Sequence, residues 1–299
     1  MSNLYTVTAT LLNLRSSTST ADNSNIITRL KNGEVVDVTD ASQADWYKVN
    51  ALNRSPAISG YVASKYLKQV DPSAPVTSPG YLKPVNLPPN NDSRRNNHAA
   101  WQYPLGEPAM PFITAADVPG RIDDIYNIVN YLAVDISARY ARDVHTYCNI
   151  YAYDFCYLSN VFLPRVWWTD KALLDLKNGQ TVQALYGVTV NEMTANQLYT
   201  WLELWGADFG WTRTYDLDDL QNQVNQGKTG LISGPNVNAE QSGHICCVIP
   251  EKGTEVAMRT GGNVVCPVLS QAGAQNLRFY NNNRWWLLSI IKEFGFWYV

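Results

Sequence analysis

Ten of the fifteen prolines in this 299-residue chain fall between residues 71 and 120, among them Pro72, Pro75, Pro79, Pro84, Pro88 and Pro89. Proline fixes φ and donates no backbone hydrogen bond, so this density excludes helix and central strand and favours extended backbone. Residues 71–120 therefore read as a Pro-rich linker between a first unit, residues 1–70, and a second, residues 121–299. Trp101, Tyr103, Met110 and Phe112 make that linker apolar enough to dock over the second unit, and His98 within it reads as a surface residue.

The first unit is a set of short strands punctuated by turn signals. Leu12-Asn13-Leu14-Arg15 alternates into a polar turn. Ile26–Leu30 and Glu34–Val38 flank a Lys31-Asn32-Gly33 turn, and Trp46–Val49 and Gly60–Val62 follow at close spacing. That pattern predicts a small β-barrel. Leu12-Asn13-Leu14-Arg15-Ser16, Leu30-Lys31-Asn32-Gly33, Trp46-Tyr47-Lys48-Val49 and Gly60-Tyr61-Val62-Ala63-Ser64-Lys65-Tyr66-Leu67 resemble the bacterial SH3 (SH3b) family, in the family's order. The resemblance implies a binding or substrate-gating module of the kind that accompanies cell-wall hydrolases.

From Arg121 the period changes. Ile122, Ile125, Tyr126, Val129, Leu132, Ala133, Ile136 and Tyr140 recur at three and four residues, which predicts one amphipathic helix. Further helices are expected from Cys148, over Lys171–Lys177, over Thr194–Trp205 with Thr194 as cap, and over Leu217–Val224 up to Asn225-Gln226-Gly227. Strands follow at Leu231–Ser233, His244–Ile249, Val264–Ser270 and Trp285–Ile291. Helices followed by strands define an α+β domain.

Two stretches carry the chemistry. Val144–Phe155 reads as a polar loop turning into a helix, with Thr146 as candidate N-cap and Cys148 in the first turn. A thiol there feels the positive end of the helix dipole and unpaired N–H groups, both of which favour the nucleophilic thiolate. About a hundred residues on, Gly243-His244-Ile245-Cys246-Cys247-Val248-Ile249 is a β-branched run opened by a histidine. A cysteine at a helix start and a histidine at a strand start are the parts of a thiol–imidazole nucleophile, distant in sequence and neighbours only in a fold.

Composition excludes other chemistries. Net charge is −3, pI about 5.6, and no basic block is present, which argues against nucleic acid. The five cysteines (148, 156, 246, 247 and 266) are odd in number and include an adjacent pair, unlike a disulfide framework. No CxxC pair exists and histidines are only 98, 145 and 244, so neither a metal site nor a cofactor is expected. Met1–Tyr5 lacks a basic, apolar leader and no apolar run reaches the length of a membrane span, about eighteen residues. The expectation is a protein cytoplasmic as made, or released or delivered without an N-terminal signal.

Tyr147-Cys148-Asn149-Ile150 opening a helix, Gly243-His244-Ile245 opening a strand, and the Leu220–Gly227 helix-to-strand turn resemble the papain-like cell-wall cysteine hydrolases of the NlpC/P60 and CHAP superfamily. The Asp-Cys-Ser-Gly helix start usual in NlpC/P60 is absent, so the resemblance is to the superfamily and to neither subfamily. It implies an N-terminal all-β SH3-like barrel plus a C-terminal α+β papain-like domain. Cys148 would be nucleophile and His244 base, with the Cys148 N–H helping to bind the oxyanion. A polar group orienting the imidazole would come from a later strand: Gln271 first, Asn276 second, Glu251 third. Tyr147, Asn149, Asn276 and Trp168 are candidate substrate-binding residues. His145 is a lesser candidate for the base, and one tryptophan of each pair, Trp167-Trp168 and Trp285-Trp286, is expected in the core. Asp154 and Arg165 could bind charged peptide ends but read better as salt-bridge residues, and Asp216, Asp218 and Asp219 charge a helix N-terminus rather than bind calcium. The implied function is hydrolysis of a peptidoglycan or muropeptide amide bond, in the stem peptide or at the glycan–peptide junction. The alternatives are a catalytically silent wall-binding protein, an effector toxin delivered by a secretion or injection apparatus, and a thiol-dependent acyltransferase or deamidase.

Overall fold

A computed structural model describes residues 3–21, 23–31, 34–52, 58–69, 80–90, 92–98 and 102–299. The chain divides into two compact units, Met1–Pro75 and Val76–Val299. The Asn32-Gly33 turn, Pro72, Pro75, Pro79 and Trp101 lie outside the described residues.

The first unit is all β. Its strands are β1 (Leu4–Val7), β2 (Leu11–Arg15), β3 (Ile26–Lys31), β4 (Val35–Gln43), β5 (Trp46–Ala51), β6 (Ile58–Ala63) and β7 (Leu67–Gln69). They form one antiparallel sheet in the order β3-β2-β6-β5-β4-β1-β7. Alternation along each strand sends Leu12 and Leu14, Leu30, Val36 and Val38, Val49 and Ala51, and Val62 to one shared core. Residues from strands at both ends of the order meet there, so the sheet is coiled on itself.

In the second unit the described residues of the proline-rich segment between 80 and 117 form no helix or strand. Leu82, Val85, Leu87, Leu105 and Ile113 are nonetheless buried in the unit's main core, with Tyr103, Met110 and Phe112 packed against it. The segment is thus part of the domain's packing. The helices are α1 (Val118–Leu132), α2 (Cys148–Leu158), α3 (Asp170–Lys177), α4 (Ala195–Trp205) and α5 (Leu217–Asn225). The helix expected through Tyr140 stops at Leu132, where Ala133 turns left-handed at φ 44°, and Ile136 is exposed. Tyr140 is buried instead in a separate 3₁₀ turn. Thr194 caps α4 in a reciprocal capping box with Gln197, as its spacing predicts. Asp216 caps α5, and Asp218 and Asp219 sit in its first turn.

Two short strands, β8 (Val166–Trp168) and β9 (Val190–Glu192), pair with each other. The main sheet is built from β10 (Thr212–Thr214), β11 (Gly230–Gly234), β12 (His244–Val248), β15 (Leu269–Gln271), β16 (Leu277–Tyr280) and β17 (Gly295–Tyr298). Its order is β10-β17-β11-β12-β15-β16, antiparallel throughout. A separate hairpin joins β13 (Met258–Thr260) to β14 (Asn263–Cys266). The strand expected over Val264–Ser270 is therefore broken, with Pro267 lying where the ladder would need an N–H. The strand expected over Trp285–Ile291 is a 3₁₀ turn, Trp285–Leu287, and both tryptophans of that pair are buried.

The sheet separates two cores. Leu231, Ile245, Cys247 and Trp297 face the α1–α2–α4 layer, whereas Ile232, Cys246, Val248 and Phe296 face α5 and the Trp285–Ile291 segment. The period of two sends successive β12 side chains to opposite faces, so His244 leaves the strand on the side of Cys246.

Candidate active site

Gly243 delivers His244. Its N–H donates to Asn196 Oδ1 on α4 at 2.8 Å. Any Cβ there would strike the Gly234 carbonyl oxygen and the same Asn196 oxygen, so only glycine fits this entry to β12.

Next along the strand, His244 Nε2 lies 2.8 Å from Gln271 Oε1 on β15. The Gln271 amide is oriented by two further bonds. Its Nε2 donates to the Gln275 carbonyl at 3.2 Å, and its Oε1 accepts from the Tyr280 hydroxyl at 2.5 Å. An oxygen facing the imidazole requires Nε2 to be the protonated nitrogen, which leaves the Nδ1 lone pair as the proton acceptor. Trp285 packs edge-on against the ring with centroids 4.5 Å apart. Burial holds the imidazole neutral and depresses its pKa to about 4, against a smaller upward pull from Gln271.

Cys148 is the first residue of α2, and Tyr147, with no side-chain cap bond, stands at the N-cap in place of Thr146. The thiol is 1% exposed. Burial pushes its pKa up, opposed by the backbone N–H groups of Ile245, Asn149 and Cys148 and by the nearby Arg165 guanidinium. The thiol thus faces the backbone of the residue after His244. Among the described residues, no hydrogen bond joins it to the imidazole. With the thiol raised and the imidazole lowered, the resting pair is neutral, and a thiolate has to be formed by proton transfer rather than stored as an ion pair.

Asn149 Nδ2 donates to the Met193 carbonyl at 2.9 Å, and Tyr147 donates to Asp143 at 2.8 Å. Trp168 is half-buried against the main core. Asn276 Nδ2 donates to the Tyr140 carbonyl at 2.8 Å, and its Oδ1 accepts from Gly273 N at 3.0 Å. Glu251 lies three residues beyond the far end of β12 from His244, a strand whose four steps span about 13 Å. There it is bound by Arg259, which holds its carboxyl down at about 2. His145 is exposed beside Asp143, while His98 is exposed, stacks edge-on against Tyr147 and bonds the Ala141 carbonyl. Asp154 and Arg165 are both buried, paired with Arg139 and Glu192 respectively. The cysteines are all free, and the described residues hold no cluster suited to a metal ion. Nor is any described helix long and apolar enough to cross a membrane.

Sequence reasoning did not single out Tyr280 or assign Trp285 to the histidine. Neither carries a local signal, since one reaches Gln271 across the irregular β15–β16 register and the other through a turn that reads as strand.

Residues 10–68 match the model of the bacterial SH3 domain family, so the all-β unit is a bacterial SH3 domain followed by a mixed α/β domain. No curated protein matches the chain. Among solved structures, NlpC2 from Trichomonas vaginalis is similar over 98% of this chain and 97% of its own, at 12% identity and a TM-score of 0.25.

Proposed function

We propose that the chain is a cell-wall cysteine hydrolase that cleaves an amide bond of peptidoglycan, with the SH3 domain holding or selecting the wall fragment. The observation that carries this reading is the His244–Gln271 bond. It fixes an imidazole with its acceptor nitrogen free, one residue from the backbone N–H that the Cys148 thiol faces. In the reaction, His244 Nδ1 takes the Cys148 proton as sulfur attacks the amide carbon, and the α2 N-terminus stabilises the oxyanion. The C–N bond then breaks as the proton passes to the leaving amine, and water hydrolyses the thioester to a carboxylate and the free thiol. The site of action is the wall, reached by release or delivery.

The test is digestion of purified peptidoglycan by wild type and Cys148→Ala, with products identified by mass spectrometry. New amine termini from wild type alone support the reading and name the bond, and release by neither enzyme overturns it. A second reading, a silent wall-binding protein, is favoured by the burial of the thiol and its lack of a bond to His244. Wall binding without thiol-dependent cleavage decides for it.

A further inference from the structure

We propose that Asn276 is a positioning residue that sets the His244–Gln271 pair in register with the Cys148 helix; this rests on the cysteine-hydrolase reading above. The turn after β15, Gln271–Asn276, is closed on itself by Gln271 Nε2 to the Gln275 carbonyl and by Gly273 N to Asn276 Oδ1. That closure brings Gly273 against the imidazole, where a Cβ would lie 3.2 Å from His244 Cε1 and 3.4 Å from Gln271 Nε2. The turn therefore forms one wall of the histidine's pocket. Tyr280, Trp285 and Cys246 line the rest, with Tyr280 bonded to the shared Gln271 oxygen and Cys246 beside Tyr280 and Trp285.

Asn276 then carries the turn to the nucleophile's helix. Its Nδ2 donates to the Tyr140 carbonyl at 2.8 Å. Tyr140 in turn donates from its hydroxyl to Asp154 Oδ2 at 2.9 Å, and its neighbour Arg139 donates to the two oxygens of Asp154 at 2.7 and 3.2 Å. Asp154 belongs to α2, the helix that begins at Cys148. All of Arg139, Tyr140 and Asp154 are fully buried, so this strut has no solvent to yield into. One amide side chain thus joins the base's turn to the nucleophile's helix, and small displacements at such a joint are amplified in rate.

The test uses the full chain and three variants. Asn276→Ala removes both bonds, whereas Asn276→Asp keeps the acceptor for Gly273 N and sets a carboxylate against the Tyr140 carbonyl. Gly273→Ala leaves the strut intact and adds a methyl against the imidazole. Ring Cε1–H NMR titrations resolve His244 from the exposed His98 and His145, and the rate of Cys148 alkylation by iodoacetamide against pH reads the thiol without any wall substrate. The expected result for folded Asn276→Asp is a His244 titration shifted upward, an altered alkylation profile and a kcat loss of about tenfold or more with KM nearly unchanged. Gly273→Ala is expected to move the same His244 resonance. A folded Asn276→Asp with the wild-type titration and alkylation profile overturns the proposal, even where wild type cleaves peptidoglycan. Wild type that alkylates at Cys148 but cleaves no wall instead overturns the function and leaves the positioning result standing.

Discussion

The Nε2–H of His244 and the Oε1 of Gln271 meet at 2.8 Å across two neighbouring strands, and Tyr280 donates to the same oxygen. A carboxylate in that place would raise the imidazole's pKa; an amide orients the half-buried ring and leaves it neutral.

Replacing Gln271 separates orientation from charge. Gln271→Ala leaves the Tyr280 hydroxyl and the imidazole N–H without their acceptor, at a cost of about 1–3 kcal/mol in stability. It is expected to lower kcat by on the order of tenfold or more. Gln271→Glu restores an acceptor but brings a negative charge, so the His244 titration should move up from about 4 toward or above the ordinary histidine value. NMR titration of the two variants beside wild type checks both outcomes; a Gln271→Glu protein titrating at the wild-type value would contradict the assigned contact.

The same depressed histidine makes stability depend on pH in a definite direction. The folded pKa, about 4, lies below the ordinary 6.5, so between those values the unfolded chain binds the extra proton. Stability therefore rises with pH across that window, and the deficit on acidification reaches about 3 kcal/mol near pH 4. Carboxylates such as Glu251, held low by Arg259, lose their own contribution over a range that overlaps at the acid end. The histidine's share is thus the difference between wild type and His244→Gln. Urea midpoints measured from pH 4 to 7 should fall more steeply with acid for wild type than for the variant.

Elements whose signal is local were legible in the sequence. The Thr194 cap, the β-branched run after His244 and the polar end of β15 at Gln271 each announce themselves within a few residues. Gly243 was legible as part of a Gly-His pair, although its reason, the Gly234 and Asn196 oxygens packed against it, lies in other elements. Tertiary packing overrode pattern elsewhere. Apolar spacing ran past Leu132, yet Ala133 ends α1 and sends Tyr140 to serve Asp154. Trp285-Trp286-Leu287-Leu288 has a strand's composition, but it turns so that both indoles are buried and one covers the histidine. Burial of the Cys148 thiol could not be read from a helix start, because the groups that enclose it come from residues far along the chain.

The Arg139–Asp154 pair bears on stability rather than chemistry. Both groups are fully buried, joined by two hydrogen bonds, with Tyr140 as a third partner of the carboxylate. Removing one partner strands the other charge, so Asp154→Ala is expected to cost about 3–5 kcal/mol. Replacing both ends with apolar residues of similar volume should recover much of that loss. Chemical denaturation of the single and double variants gives the comparison.

At Cys148 the helix and the burial act in opposite directions on the thiol. The N–H groups of Cys148, Asn149 and Ile245 and the Arg165 charge favour the thiolate, yet burial outweighs them and the thiol titrates above its usual range. Its neighbour cysteines are raised by burial too, and Cys156 and Cys247 have no N–H groups to offset it. Iodoacetamide should therefore label native protein slowly at pH 7, with the rate climbing only above the ordinary cysteine range and Cys148 labelled ahead of Cys156 and Cys247. On the proposed hydrolase reading, a substrate that delivers the carbonyl while His244 accepts the proton would bypass this barrier, so an electrophilic stem-peptide analogue should inactivate faster than iodoacetamide at neutral pH. Peptide mapping by mass spectrometry distinguishes these cases. Rapid labelling of Cys148 by iodoacetamide at pH 6 would mean a stored thiolate–imidazolium pair in place of a neutral one.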